Sequence, residues 1–318
     1  MAQAVNDLLD QTRSQLDEKN IDNATDSELV QALNRAQRSA TNIVARKYPD
    51  MFWDTTTDTL VANQQEYDIP ANAYGKRIEL IEVDIGGTRY ELKPVSNKRT
   101  TVFTRVGAVD RPYYYSLVKN KIAIHPLPSA AYTLYIHYLR RPETLVLSQG
   151  RITTVNSGSN YVLVDELGDA VSTSVTGFGS YINVIDYITG EVKGTLQVSA
   201  LDTSLNKVLF KSAGLTRSTV LGRSISTSLP TDISVDDYLA LVTGTSVSEL
   251  DEAYTDYLVQ FAVIEIQRRF KVDIADDLIA LKALSEELEN MWVGREQSTK
   301  IRRANTHYHS TTSRRLVP

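Results

Sequence analysis

The sequence predicts an α+β protein in which helices from both ends of the chain pack against a small antiparallel sheet. Apolar residues recur at helical spacing near the N-terminus and again after residue 248. Between these regions, short β-prone segments alternate with glycine and asparagine turns. The final stretch has no apolar period. We therefore expect a helical bundle, a small antiparallel β-sheet, an inserted all-β domain and an extended C-terminal tail.

The composition is typical of a globular protein. The 318 residues are 42% hydrophobic and 23% charged, enough for two modest domains or for one with a large insertion. The sequence has no run of about 18 apolar residues and no signal-peptide pattern, so we expect a soluble chain with no membrane partner. The absence of cysteine excludes disulfides, thiolate zinc sites and thiol nucleophiles.

Two helices are predicted near the N-terminus. The first has one apolar face, formed by Val5, Leu8, Leu9, Thr12 and Leu16. Thr25 and Glu28 form a capping-box pattern that opens the second helix, and Pro49 limits it. Its predicted buried stripe is Leu29, Leu33, Ala36, Ala40, Ile43 and Val44. The basic residues off this stripe predict a solvated face, with a polyanion-binding face as the alternative: Arg35, Arg38, Arg46 and Lys47.

Short antiparallel strands are predicted between residues 53 and 138. Alternating residues 81–85 precede a Gly86-Gly87 turn, so residues 89–92 should pair back as a hairpin. A second hairpin is expected around Lys119-Asn120. The candidate strands are residues 55–61, 67–70, 81–85, 89–92, 112–117, 122–124 and 133–138.

Two further helices are predicted between Ser248 and Val293. The first is a core helix whose face is formed by Leu250, Tyr254, Tyr257, Phe261 and Ile264. A second stripe predicts burial on more than one side: Val259, Val263, Ile266 and Phe270. The second helix should begin at Asp273, carry Met291 and Trp292 near its end, and stop at Gly294.

Several local patterns occur in a characteristic order. A helix ends at Tyr48-Pro49, followed by Phe52-Trp53-Asp54, the segment Gln65-Glu66-Tyr67-Asp68-Ile69-Pro70, the Gly86-Gly87 hairpin and Ile122-Ala123-Ile124-His125-Pro126-Leu127-Pro128. A closing helix pair and an extended tail follow. In this arrangement the chain resembles the head-to-tail adaptor proteins (connector or tail tubular A type) of tailed bacteriophages, chiefly short-tailed ones. The resemblance covers residues 1 to about 147 and about 229 to 318.

The resemblance implies a structural virion protein and not an enzyme. It implies a ring, typically of twelve copies, docked below the portal and continuing the DNA channel. The implied partners are the portal protein, a tail or nozzle protein, other copies of the chain and, transiently, genomic DNA. The implied location is the head–tail junction, with assembly in the cytoplasm of the bacterial host. An acidic body suits such a conduit because lumenal carboxylates repel phosphates.

Residues 149–228 depart from the resemblance. They contain 12 charged residues out of 80, a lower share than in the whole chain, and predict an inserted barrel or sandwich. Its candidate strands are residues 152–155, 161–164, 170–176, 181–187, 194–198 and 207–210. The predicted domains are thus 1–148, 149–228, 229–297 and the tail 298–318. We expect the insertion to be either an outward decoration or an extra contact to the tail or a neighbouring subunit.

The C-terminal tail differs from the body in charge. From Arg295 onward there are six basic residues and one acid, a balance of +5 that leaves −10 for the preceding residues. We expect residues 298–318 to be disordered alone and to bind the portal. The predicted contacts are Arg302, Arg303, Arg314 and Arg315 to carboxylates, with Tyr308 and Leu316 as apolar anchors. A disordered surface tail is the alternative.

Signals for catalysis are weak, and no catalytic, cofactor or metal site is predicted. His125 and His137 are expected to be structural, and Asp236-Asp237 and Asp276-Asp277 to start helices. A rival function, a tail-associated glycan hydrolase, needs two carboxylates in one cleft, and its candidates are Glu143, Asp165 and Glu166. Six tyrosines between residues 113 and 138 predict sheet core or edge positions, or else a carbohydrate or subunit contact.

Overall fold

The chain folds as a mixture of helices and strands, as the sequence predicts. A computed structural model describes residues 2–17, 24–96, 109–168, 181–213, 219–220 and 223–290. Within them the α-helices are α1 (Val5–Asp17), α2 (Asp26–Lys47), α3 (Thr255–Phe270) and α4 (Ala275–Asn290). The strands before the insertion are β1 (Ala2–Ala4), β2 (Trp53–Leu60), β3 (Glu66–Asp68), β4 (Ala73–Ile85), β5 (Thr88–Glu91), β6 (Lys93–Pro94), β7 (Val109–Asp110), β8 (Tyr114–Val118), β9 (Lys121–His125), β10 (Leu127–Pro128) and β11 (Tyr132–Arg140).

The later strands form and follow the insertion. They are β12 (Ser148–Asn156), β13 (Tyr161–Val164), β14 (Tyr181–Ile185), β15 (Val192–Asp202), β16 (Lys207–Phe210), β17 (Thr219–Val220), β18 (Arg223–Ser226), β19 (Tyr238–Leu241) and β20 (Val247–Asp251). One-turn 3₁₀-helices occur at Pro49–Phe52, Ser157–Ser159 and Glu252–Tyr254.

The four helices share one apolar core. All five residues predicted for the face of α1 are buried, and α2 begins with the predicted capping box between Thr25 and Glu28. In α2 the predicted stripe is also buried, except that Ile43 is only partly covered. α3 packs against α1, α2 and α4. Apolar spacing therefore placed the N-terminal helices correctly.

The start of the core helix was predicted wrongly. Leu250 lies on β20 and not on a helix, because residues 247–251 pair antiparallel with β1 at the opposite end of the chain. A 3₁₀ turn then leads into α3 at Thr255. Leu250 is nevertheless only 4% exposed and contributes to the helical core.

α4 begins close to the predicted position and is less buried than expected. The Asp273 carboxylate accepts a hydrogen bond from the Ala275 N–H at 3.1 Å, as an N-terminal cap does. Of its residues, Leu288 alone is buried, while Leu281 and Leu284 are partly covered. The predicted positions of Met291, Trp292 and Gly294 lie outside the described residues.

Two four-stranded sheets follow the N-terminal helices. One has the order β2-β11-β4-β5 and is antiparallel throughout, with the predicted Gly86-Gly87 turn joining β4 to β5. The other has the order β3-β9-β8-β6, with the second predicted hairpin between β8 and β9. Their facing sides enclose an apolar core that includes Leu60, Ile81, Ile124 and Ile136.

Strands of the segment predicted to be an insertion form, together with β19, an eight-stranded sheet in the order β14-β19-β12-β13-β16-β15-β18-β17. An additional β14–β15 pairing closes six of these strands on themselves around their own apolar core. β19 comes from residues 238–241, beyond residue 228, so this sheet recruits a strand from the segment predicted to supply helices. The candidate strand 170–176 lies outside the described residues.

The predicted helix start at Asp236-Asp237 is wrong. Asp236 has a φ of 80° in a turn, and β19 follows directly. Asp237 is fully buried and pairs with the Lys193 ammonium at 2.9 Å, which also contacts Asp186. Asp236 and Asp237 therefore end the turn that precedes β19, and the Lys193 ammonium neutralises the buried Asp237 carboxylate.

Candidate assembly surfaces

The predicted core-helix residues serve mainly to hold the helical bundle together. Tyr254, Tyr257 and Ile264 are buried, and the Tyr257 hydroxyl lies 2.8 Å from the Ser39 hydroxyl on α2. Burial raises the pKa of Tyr257. Phe261 is only partly buried, and its ring is tilted against Tyr257 at 6.1 Å between centroids.

The predicted portal-binding residues lie outside the described residues. They are Arg302, Arg303, Tyr308, Arg314, Arg315 and Leu316. Their partners, and the tail's role, stay predictions. The described chain ends at Asn290, the last residue of α4.

Three exposed apolar side chains lie on the helices that flank the α3–α4 connection. Phe270, Leu278 and Ile279 are exposed, Ile279 at 70% of its surface, and we call these three residues the α4 patch. Single exposed apolar residues need no explanation, whereas several on adjoining segments are typical of a contact surface. The α4 patch lies on α3 and α4, the last two described helices.

A second surface pairs arginines with tyrosines on the sheet β2-β11-β4-β5. The Arg89 guanidinium lies 3.9 Å from the ring centroid of Tyr135, and that of Arg111 lies 3.3 Å from the centroid of Tyr90. Trp53 is exposed at the end of β2. Tryptophan, tyrosine and arginine are the residues most enriched in binding hot spots.

The six tyrosines between residues 113 and 138 divide between core and surface. Tyr115 and Tyr138 are buried, whereas Tyr113 is exposed. Burial first, and then the neighbouring Asp54 carboxylate, raises the pKa of Tyr138 to about 12. Its hydroxyl donates to Asp54 at 3.0 Å. The core interpretation therefore holds for part of the set.

A cleft of about 800 Å³ separates the sheet from the β insertion. Glu249 of β20 faces it, and its carboxylate pairs with Arg140 at 2.8 Å. Burial raises the pKa of Glu249 to about 7, against the smaller opposing effect of Arg140. Glu143 also lines the cleft and pairs with Arg223 of the insertion. The ion pairs Arg140–Glu249 and Glu143–Arg223 therefore connect β11 with β20, and the residues after β11 with β18, at this cleft.

The carboxylates considered for glycan hydrolysis are not gathered in one cavity. Glu143 lines the large cleft, whereas Asp165 and Glu166 line a smaller pocket beside Tyr238. The Asp165 carboxylate accepts hydrogen bonds from the backbone N–H groups of Arg151 and Glu166, at 2.8 and 2.7 Å. Asp165 and Glu143 therefore have structural partners, since Glu143 pairs with Arg223. Among the described residues, no group of three histidines and carboxylates is placed to hold a metal ion.

The two strand histidines also have structural partners. His125 is buried, its Nε2 lies 3.1 Å from the Ser116 hydroxyl, and burial lowers its pKa. His137 lies between Thr55 at 2.7 Å and Glu82 at 3.0 Å. His307 and His309 lie outside the described residues.

The sequence did not reveal the arginine–tyrosine pairs or the place of Glu249. Arg89 and Tyr135 lie on different strands, and Arg111 lies in the connection between β7 and β8. Both contacts therefore depend on tertiary arrangement, which single-sequence periodicity does not give. The position of Glu249 at the cleft was not predicted, because the sequence predicts a helix from Ser248 onward. Residues 247–251 have no period-two alternation of apolar and polar side chains, and Val247 and Leu250 stand three apart as on a helix, so the sequence offered no local signal for this strand.

An α+β body that exposes aromatic, arginine and apolar side chains has surface features that are typical of protein-binding sites. A comparison with protein families matches residues 3–171, just over half of the chain, to the SU10 adaptor protein family. The chain therefore belongs to this family of phage head–tail adaptors, which is a structural family. A search of curated proteins found no match to the chain.

Family membership confirms the resemblance to phage adaptors and places the protein at the head–tail junction of the virion. The match ends at residue 171, so it extends into the segment 149–228 that was predicted to depart from the family, and it does not include residues 229–318. The matched range includes α1, α2, both four-stranded sheets, and β12 and β13 of the insertion. Within the described chain, no helix is both long and apolar enough to span a membrane.

Proposed function

We propose that the protein forms a ring of twelve copies below the portal, joins head to tail and continues the DNA channel. Membership of the phage adaptor family is the observation that carries this proposal. The portal protein is the partner on the head side, and a tail or nozzle protein is the partner on the other. Assembly takes place in the cytoplasm of the bacterial host, and genomic DNA passes through the ring during ejection.

The charge distribution supports a conduit that does not retain DNA. Residues before Arg295 carry a net charge of −10, which disfavours lasting contact with phosphates. The basic tail has the opposite preference, because its +5 charge favours acidic grooves. One chain thus offers a surface that repels DNA and an arm that attracts carboxylates.

The portal-facing contact combines the α4 patch with the tail. Phe270, Leu278 and Ile279 supply exposed apolar area on the helix pair that precedes the tail in the sequence. In residues 298–318, the four arginines Arg302, Arg303, Arg314 and Arg315 pair with portal carboxylates, while Tyr308 and Leu316 anchor the arm. Ordering a flexible arm costs entropy that these contacts must exceed.

Deleting Thr299–Pro318 tests this role directly. The deletion should leave the melting temperature nearly unchanged, because the helical core and both β cores lie within residues 2–290. It should abolish loading onto portal-containing heads, measured by cosedimentation. A control chain keeps the tail length but replaces the four arginines by glutamine, and it should also lose most loading.

Salt gives a second readout. Loading of the parent protein should weaken as salt rises, since exposed ion pairs are screened over about 8–10 Å near physiological ionic strength. If the truncated protein saturates the heads at the parent's concentration, the tail is not the docking element and the α4 patch becomes the candidate.

A further inference from the structure

The sheet β2-β11-β4-β5 ends in two outer strands, β2 and β5. Among the described residues, neither strand has a backbone partner on its outer side. Most of β2 and all of β5 are exposed or half-buried. An unpaired edge presents N–H and C=O groups that another chain can use. The same sheet thus offers two docking edges on opposite sides.

The outer donors of β2 are partly occupied by its own aspartates. The Thr55 N–H donates to the Asp54 carboxylate and the Thr59 N–H to the Asp58 carboxylate, each at 2.7 Å. These N–H groups therefore point away from β11. Since successive backbone N–H groups along a strand point to opposite sides, the Thr57 N–H also points away from β11. The edge has three donors, and two of them are covered.

The outward positions of β5 follow from its hairpin. The Leu92 N–H donates to the Ile81 carbonyl at 2.8 Å, so the residues that pair with β4 are the even ones. By the same alternation, the backbone groups of Arg89 and Glu91 face the outer edge. β5 thus presents two residues with both a donor and an acceptor.

Strand direction makes the two edges compatible. The four strands alternate in direction, so β5 runs opposite to β2. If β5 of one copy lies beside β2 of the next, the new pair is antiparallel and continues the sheet. A contact between two different patches on identical subunits is head-to-tail, and such contacts generate a ring when the rotation from copy to copy closes.

Side-chain faces also match across this pairing. The strand registers place Arg89 and Glu91 of β5 on the same face of the sheet as Thr57 and Thr59 of β2, so these side chains would neighbour one another across the new strand pair. Asp54 and Asp58 lie on the opposite face.

We propose that neighbouring copies join by antiparallel pairing of β5 of one copy with β2 of the next, giving a sheet that continues around the ring. This inference rests on the proposed ring. In the free subunit, Asp54 and Asp58 close the β2 edge against chance pairing. In the ring, both carboxylates turn away, and the N–H groups of Thr55, Thr57 and Thr59 become available to carbonyl groups of β5.

Cysteine cross-linking tests the pairing, because the natural chain has no cysteine. The double variant Thr57→Cys/Glu91→Cys is loaded onto portal-containing heads and treated with a short bis-maleimide, which tolerates a diagonal pairing. A ladder of covalent multimers is expected on heads, with none for the free protein. The control Thr57→Cys/Ser204→Cys places the second thiol on an exposed turn of the insertion and should give no ladder.

A blocking experiment keeps the proposal testable if the double variant loads poorly. Thr57→Cys is labelled with a bulky maleimide before mixing, and loading should fall at least tenfold. The same label on Ser204→Cys should leave loading within twofold of the parent. Equal loading of both labelled proteins would overturn the strand pairing.

The outcomes separate this inference from the proposed function. Failure of the parent protein to bind portal-containing heads contradicts the proposed function itself. Saturated heads that show a ring of adaptor but no cross-linked ladder overturn the β5–β2 pairing and leave the adaptor role intact.

Discussion

Helices α3 and α4 have the same length and nearly the same number of apolar residues, yet they are buried very differently. Nine residues of α3 are buried, against one of α4. α3 is covered by α1, α2 and α4, whereas α4 touches only one side of the bundle through α2 and α3. Apolar content therefore does not determine burial. What α4 leaves uncovered is surface that a partner can use.

A matched pair of leucine substitutions should separate the two helices most strongly. Leu258→Ala in α3 removes a side chain that is 2% exposed and should cost about 2–5 kcal/mol of unfolding free energy through lost burial and a cavity. Leu278→Ala in α4, where the side chain is 38% exposed, should stay within about 0.5 kcal/mol. Urea unfolding measures both. Equal losses would contradict the contrast between the helices.

Glu249, on the strand that leads into α3, should make stability depend on pH. Its folded pKa of about 7 lies above the ordinary value of 4.5, so the folded state binds the extra proton between these values. Stability from this group is therefore highest below pH 4.5 and falls as pH rises to 7, by about 3 kcal/mol in all. Above pH 7 the loss is complete.

Comparing unfolding curves at pH 5 and pH 8 isolates this effect. Glu249→Gln should remove most of the difference, whereas Glu66→Gln, an exposed carboxylate on β3, should leave it intact. An unchanged pH dependence in Glu249→Gln would mean that the strand entering α3 holds no titrating acid near neutrality.

Phe261→Ala should lower the unfolding free energy by less than Leu258→Ala does, and by less than the deprotonation of Glu249 does. The sequence predicted that the Phe261 side chain is enclosed on several sides, and truncation of such a side chain costs about 3–5 kcal/mol. The structure covers the ring only in part, so about 1–2 kcal/mol is expected. Thermal unfolding checks it against Leu258→Ala. A loss as large as that of Leu258→Ala would contradict the partial burial of Phe261.

Local patterns determined the parts of the fold that the sequence predicted well. The stripe of α1, the capping box of α2 and the Gly86-Gly87 hairpin each depend on residues within one or two turns of the chain. β20 and β19 were missed because their partners are distant. β20 pairs with β1 at the other end of the sequence, and β19 completes a sheet begun by β12 and β14. No local period carries such information.

The candidate surfaces were predictable to a smaller extent. Sequence alone indicated a basic tail and a helix pair beside it, since charge and apolar spacing can be counted. The stacking of Arg89 on Tyr135 requires the register of three adjacent strands. Closure of the β2 edge by Asp54 and Asp58 requires knowledge that β2 is an outer strand. Sheet order is a tertiary property, and short strands do not reveal it.

The long separation between α2 and α3 also sets the order of events during synthesis. α2 ends at Lys47 and α3 begins at Thr255, roughly 200 residues later. At translation rates of about 5–20 residues per second, α3 is synthesised on the order of 10–40 s after α2, and the apolar stripe of α2 lacks its main packing partner during that time. Both sheets and the β insertion emerge from the ribosome first. The helical bundle, although it starts the chain, is therefore the last core to close, and the nascent protein needs protection at its N-terminal helices until then.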